Sequence, residues 1–104
     1  MQVAVLGSGS WGTALALQLA RANNKVFLWD RKPERAQKMQ EERENSQYLP
    51  GIRFLDTITV SPDLDYVLQS VDMLVFAIPR QKTRAVIQRS LPLLNPLVPI
   101  CCAS

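Results

Sequence analysis

The opening of the chain contains a glycine pattern that few folds can accommodate. Residues 3–12 read VAVLGSGSWG: an apolar, β-branched run ends at Gly7, and residues 7–12 fit G-x-G-x-x-G without a mismatch. Residues 13–22 then have the composition of a helix. A strand, a glycine-rich turn and a helix in this order are typical of a dinucleotide-binding βα unit.

Each glycine of this motif has a separate task. Gly7 permits the tight turn, Gly9 lets the backbone approach a pyrophosphate, and Gly12 lets the helix pack on the strand. The amides of Ser10, Trp11 and Gly12 are expected at the start of the helix, where unpaired N–H groups and the helix dipole favour an anion. The sequence therefore predicts dinucleotide binding, and a tight turn without a ligand is the alternative.

The end of the second predicted strand, residues 25–30, indicates both forms of a nicotinamide cofactor. Asp30 lies 23 positions after Gly7, close to the spacing at which an acid accepts from the ribose hydroxyls of NAD. Arg31 and Lys32 follow directly, and basic side chains there suit the 2′-phosphate of NADP. Arg31 is the preferred candidate, because its planar guanidinium can clamp a phosphate or stack on adenine. The choice between NAD and NADP stays open.

Strands and helices alternate along most of the chain, which predicts an α/β fold. We expect a Rossmann-type doubly wound parallel sheet of about five strands in the order 3-2-1-4-5, with the ligand between the first and fourth strands. The helix that follows the fourth strand begins with Arg80, Lys82 and Arg84. These charges can face the crevice, but a solvated helix start is the favoured interpretation of each. The further predicted segments are a helix over 33–45, an irregular loop over 45–51, a strand over 58–60, a helix over 63–69 with Ser61 as N-cap, a strand over 71–78, a helix from 80 to about 91, and an edge strand over 97–103.

Composition excludes several other classes of protein. The net charge is +3, but Lys and Arg are scattered among Asp and Glu, so we expect no nucleic-acid partner. No apolar run approaches the ~20 residues that cross a bilayer, so we expect no membrane partner. Cys101 and Cys102 are adjacent, which disfavours a disulfide between them, and two sulfurs alone make no metal site. We therefore expect a reducing, cytoplasmic location.

Four stretches together resemble the N-terminal part of the bacterial type of NAD(P)-dependent glycerol-3-phosphate dehydrogenase. They are GSGSWGTALA at residues 7–16, V-x-L-W followed by Arg31, N-x-x-Y-L-P-G at residues 45–51, and D-x-L-V-x-A-I-P at residues 72–79. The resemblance covers the whole chain. The first and third stretches are far more specific than a glycine fingerprint alone.

This resemblance implies a cofactor, a reaction and a set of contacts. It places Ser10, Trp11 and Arg31 on NAD or NADP, with Lys32 as a weaker candidate, and it lets Tyr48 shape the cofactor pocket. The implied reaction interconverts sn-glycerol 3-phosphate and dihydroxyacetone phosphate by hydride transfer and supplies glycerol phosphate for phospholipid synthesis. Asp30 is not a strict feature of the family, so the resemblance does not decide between the two cofactors.

The end of the sequence differs from the family pattern. In the family, a Lys-Gly pair that follows the fifth strand contacts cofactor and substrate, whereas this sequence stops just before it, at Ser104. We therefore expect residues 1–104 to form a truncated N-terminal NAD(P)-binding domain without the helical substrate domain. Such a domain would bind dinucleotide weakly, contain no catalytic residue (there is no histidine), and self-associate through exposed apolar surface.

Two alternatives remain at this point. One is a related β-hydroxyacid or 6-phosphogluconate-type dehydrogenase domain, although the Y-L-P-G loop argues against it. The other is a stand-alone nucleotide-sensing module that regulates a partner.

Overall fold

A computed structural model describes residues 1–103 of the chain, apart from the side chain of Arg80. Five strands form one sheet in which every neighbouring pair is parallel, and two more form a small antiparallel pair. This confirms the predicted α/β class. The strands are β1 (Gln2–Leu6), β2 (Lys25–Trp29), β3 (Glu44–Asn45), β4 (Leu49–Arg53), β5 (Ile58–Ser61), β6 (Met73–Phe76) and β7 (Ile100–Cys102).

The order of strands across the large sheet is β5-β2-β1-β6-β7, and β3 pairs with β4 outside it. Counted along the chain within the large sheet alone, this order is 3-2-1-4-5. Along the chain, helices connect the consecutive strands of this sheet, because parallel pairing requires a long crossover. They are α1 (Ser10–Arg21), α2 (Pro33–Glu42), α3 (Leu64–Leu68) and α4 (Arg80–Ser90), and a 3-10 turn (Leu91–Leu93) follows α4.

The central strand β1 is buried on both faces of the sheet. Val3 and Val5 pack in one apolar cluster together with residues of α1 and α2, including Ala16 and Met39. Ala4 and Leu6 point the other way, into a second cluster formed with α3 and α4. Burial on both faces explains why the strand consists almost entirely of apolar residues. β1 and β6 are parallel neighbours at the point where the strand order reverses, so the crevice lies between their carboxyl ends.

The helix predicted over 33–45 is shorter in the structure and ends at Glu42. Arg43 has φ 59°, a left-handed conformation that terminates the helix. Its guanidinium donates hydrogen bonds to the carbonyls of Leu55 and Ile58, at 2.9 Å and 2.7 Å. These tertiary contacts compensate for a conformation that non-glycine residues rarely adopt.

The segment over 45–51, predicted as an irregular loop, lies mainly in the antiparallel pair of β3 and β4. The predicted N-cap was also wrong. Ser61 is the last residue of β5, and the Asp63 carboxylate instead accepts from the amide of Tyr66 at the start of α3. The last strand is shorter than predicted, since Pro99 precedes it, and β7 lies at the sheet edge as expected.

Candidate functional site

The turn between β1 and α1 is built from contacts that only glycine allows. Gly7 has φ 117°, and a Cβ added to it would lie 2.4 Å from the carbonyl oxygen of Ala77. A Cβ on Gly12 would lie 2.0 Å from the carbonyl oxygen of Gly7. The two glycines therefore let the first turn of α1 pack against the end of β1. They also let the turn and the start of α1 approach residues 77–78, which follow β6.

Gly9 differs from these two glycines because a Cβ added to it would meet nothing within 4 Å. The space above it is open to a ligand. Within residues 1–103, the amides of Ser10, Trp11 and Gly12 have no hydrogen-bond acceptor, and the first helical bond runs from the Thr13 amide to the Gly9 carbonyl at 3.0 Å. These unpaired donors at a helix start suit a bound anion, so the turn fits a pyrophosphate.

Two clefts meet at Gly9, along the carboxyl edge of the sheet. One measures 850 Å³ and is lined by Gly9, Ser10, Trp11, Gly12, Tyr48, Ala77, Ile78, Pro79 and Ala103. Two aromatic side chains stand in its wall, with Trp11 57% and Tyr48 43% exposed. Large apolar side chains exposed beside a cleft are typical of ligand-binding sites.

The second cleft measures 600 Å³ and extends from Gly9 towards the end of β2. Besides Gly9, it shares Tyr48 and residues 77–79, which follow β6, with the first cleft. Basic side chains predominate among its charged residues: Arg31, Lys32, Arg35, Lys82 and Arg89 line it together with a single acid, Asp30. A concave surface of this kind attracts anionic ligands.

The carboxylate of Asp30 is enclosed by hydrogen-bond donors from its own chain. Ser8 Oγ donates to Oδ2, and the Lys32 amide donates to Oδ1 at 2.9 Å. Arg35 binds the carboxylate with two nitrogens, Nε to Oδ2 at 2.6 Å and Nη2 to Oδ1 at 3.0 Å. The Asp30 side chain is 1% exposed. Donors of the protein itself therefore occupy the carboxylate of the one acid that lines this cleft.

Burial alone raises the pKa of the Asp30 carboxyl, but the hydrogen bonds from Arg35, Ser8 and the Lys32 amide outweigh it and lower the pKa below its ordinary value of 3.8. The hydrogen bond between Arg35 and Asp30 also raises the pKa of the Arg35 guanidinium. Asp30 and Arg35 are therefore both charged at neutral pH and neutralise each other.

Asn45 fastens the β3–β4 hairpin to the glycine turn. Its side chain is buried, and Nδ2 donates to the Ser8 carbonyl at 2.7 Å and to Thr13 Oγ1 at 2.9 Å. Its Oδ1 accepts from the amide of Tyr48 at 3.2 Å. The Asn45 side chain therefore links the glycine turn and α1 to the backbone at Tyr48, which lines both clefts.

The predicted cofactor residues lie together around the two clefts. Gly9, Ser10, Trp11 and Gly12 line the first, and Gly7, Gly9, Arg31 and Lys32 line the second. Of the basic residues at the start of α4 that were considered for the crevice, Lys82 lines the second cleft and Arg84 lines neither. The side chain of Arg80 lies outside the described part of the chain.

Three residues of the site were not found from the sequence: Ser8, Arg35 and Asn45. Ser8 and Asn45 bind partners 22 and 37 residues away along the chain, whereas Arg35 binds Asp30 only five residues away. No local sequence pattern indicates any of these contacts. The N-x-x-Y-L-P-G motif did mark the segment that contains Asn45, but not the contacts of its amide. Among the described residues, no cluster could hold a metal ion and no helix is long and apolar enough to cross a membrane.

Comparison with known proteins gives consistent matches. Residues 2–104 match the family described as NAD-dependent glycerol-3-phosphate dehydrogenase N-terminus. Enzymes named glycerol-3-phosphate dehydrogenase [NAD(P)+] from Syntrophomonas wolfei and Chlorobium limicola are 43% and 46% identical over 90% and 89% of the chain. A crystal structure of glycerol-3-phosphate dehydrogenase from Coxiella burnetii superposes with a TM-score of 0.94 at 38% identity, covering 98% of this chain and 31% of that one. The chain spans 27% and 28% of the length of the two curated relatives.

Proposed function

Because the chain belongs to the family of NAD-dependent glycerol-3-phosphate dehydrogenase N-terminal domains, we propose that residues 1–104 are a domain that binds NAD or NADP along the carboxyl edge of the sheet. One observation carries this proposal. The space above Gly9 is open, and the three amides at the start of α1 have no acceptor within the described residues. A diphosphate there would accept from these amides at the positive end of the helix dipole.

The contacts of the cofactor follow from this position. The diphosphate lies over Gly9 against the amides of Ser10 and Trp11, while Gly7 and Gly12 keep the turn compact. The adenosine end extends along the second cleft towards Arg31 and Lys32, which line it. The nicotinamide end occupies the first cleft, beside Trp11 and the chain after β6.

For the whole protein we propose the reaction of its relatives, the interconversion of sn-glycerol 3-phosphate and dihydroxyacetone phosphate. The cofactor, when bound, supplies the hydride acceptor or donor. Oxidation removes a hydride from carbon 2 of the substrate and a proton from its hydroxyl group. We assign neither the acid/base group nor the substrate phosphate site to residues 1–104, so these residues act by binding and orienting the nicotinamide.

We also propose a cytoplasmic location and self-association. The first is supported by the free, exposed thiols of Cys101 and Cys102, which are typical of a reducing compartment. The second is supported by exposed apolar side chains near β7, among them Leu97 at 88% and Ile100 at 46% exposure.

Fluorescence titration of the chain with NAD and NADP tests the binding site. Trp11 is 57% exposed in the first cleft, whereas Trp29 borders the second cleft but is only 2% exposed, so we expect saturable quenching that Trp11→Phe reduces by more than half. Tyr48→Ala should weaken binding at least threefold by calorimetry. Tyr66→Ala is the matched control, because Tyr66 is similarly exposed at 47% but lines neither cleft. Failure of both dinucleotides to bind the wild-type chain at millimolar concentration would refute the proposal.

A further inference from the structure

The Asp30 carboxylate has no capacity left for a ligand. A carboxylate offers about four lone-pair positions on its two oxygens. Here Ser8 Oγ and Arg35 Nε take those of Oδ2, and the Lys32 amide and Arg35 Nη2 take those of Oδ1. A ribose hydroxyl could bind only by displacing one of these donors. The acid that sequence spacing assigns to the ribose is thus engaged within the protein.

Charge at the same end of the cleft leads to the same conclusion. Asp30 and Arg35 neutralise each other, and Arg31 and Lys32 are exposed and make no ion pair within residues 1–103. Glu34 is exposed in the same surface patch, so Arg31 and Lys32 leave a local surplus of one positive charge beside the position of the adenosine ribose. A 2′-phosphate would gain from this surplus, whereas a 2′-hydroxyl would find no free acceptor on Asp30.

We propose that Arg35 and Ser8 are specificity-determining positioning residues: by holding the Asp30 carboxylate inside the protein, they make the site select NADP over NAD. The inference rests on the proposed function, since it assumes a dinucleotide in the clefts. Neither residue needs to touch the cofactor. Releasing Asp30 would restore an acceptor for the 2′-hydroxyl and place a negative charge where the 2′-phosphate binds.

The test is the ratio of dissociation constants, Kd(NAD)/Kd(NADP), measured by calorimetry at neutral pH. We expect a ratio of about ten or more for the wild-type chain, since one good charge contact is worth about a factor of ten. Arg35→Ala should lower the ratio at least fivefold, and Ser8→Ala should lower it by a smaller factor. Arg21→Ala removes the same charge from an exposed position at the far end of α1 and should leave the ratio unchanged.

A double variant separates positioning from direct contact. Asp30→Asn combined with Arg35→Ala removes the released negative charge, so the ratio should return towards the wild-type value. A double variant with the same low ratio as Arg35→Ala would overturn the inference, because Arg35 would then itself hold the phosphate. Should Arg35→Ala fail to fold, the wild-type and Ser8→Ala ratios decide: a wild-type ratio near or below one, or an unchanged ratio in Ser8→Ala, would overturn it. Absence of binding by either dinucleotide would instead refute the proposed function.

Discussion

Removal of the Asn45 side chain should loosen the cofactor turn and destabilise the domain together. Asn45→Ala deletes the two hydrogen bonds that Nδ2 donates to the Ser8 carbonyl and Thr13 Oγ1, and the one that Oδ1 accepts from the Tyr48 amide. Each buried hydrogen bond contributes about 1 kcal/mol, so the expected loss in the free energy of unfolding is roughly 3 kcal/mol. For a domain of this size, such a loss lowers Tm by roughly 10–20 °C.

Urea unfolding followed by circular dichroism measures this loss, with Asn24→Ala as the matched control. Asn24 is half-buried and follows the end of α1 that lies away from the glycine turn. Its side chain donates a single hydrogen bond, to the Leu19 carbonyl at 2.9 Å. Its removal should cost about 1 kcal/mol. Asn45→Asp keeps an oxygen for the Tyr48 amide but removes both donations and buries a charge, so it should be at least as damaging as Asn45→Ala.

The reasoning about Asn45 would be refuted by equal losses in Asn45→Ala and Asn24→Ala. It would also be refuted if Asn45→Ala, assayed well below its Tm, bound dinucleotide with wild-type affinity. The second result would mean that the hairpin does not position the turn.

Three further predictions concern the glycines and the half-buried ion pair of Asp30 with Arg35. Gly9→Ala should change the free energy of unfolding by no more than about 1 kcal/mol in urea titrations, because φ at Gly9 is −67° and nothing lies near its Cβ, yet it should weaken dinucleotide binding more than tenfold by calorimetry. Gly12→Ala should instead destabilise the fold by about 3 kcal/mol, since the new Cβ would collide with the Gly7 carbonyl; a stable Gly12→Ala variant would contradict the geometry of the turn. Because the folded-state pKa of Asp30 is lowered, its contribution to stability is present above pH 3.8 and should be lost as the pH falls further; the free energy of unfolding should decline less steeply between pH 5 and 2.5 in Asp30→Asn than in the wild type.

The sequence predicted the architecture well because the relevant signals are local. Apolar runs such as that of β6 can be recognised as buried parallel strands, and the spacing of Gly7, Gly9 and Gly12 specifies a turn of known shape. The positions that were mispredicted depend on distant contacts. Arg43 ends α2 early through its bonds to carbonyls beyond the hairpin, and nothing in the polar helix sequence indicates them.

The same distinction applies to the site. Trp11 and Arg31 could be predicted as candidates because they are adjacent to the motif and to the strand end. The engagement of Asp30 could not, since it requires knowing that Ser8 and Arg35 converge on one carboxylate. Spacing alone favours the ribose for an acid at this position, and only the three-dimensional arrangement shows that its lone pairs are taken.

The central place of β1 has a consequence for how the domain fluctuates. β1 has hydrogen-bonded neighbours on both sides and residues that are fully buried from Val3 to Leu6, whereas β7 has one neighbour and exposed side chains. In deuterated solvent, backbone protons of β1 should exchange only when the whole domain opens, and those of β7 should exchange through local fraying. The turn at Gly7 thus begins at the slowest-exchanging part of the sheet. Local fraying of β7 at the sheet edge therefore leaves the turn in place.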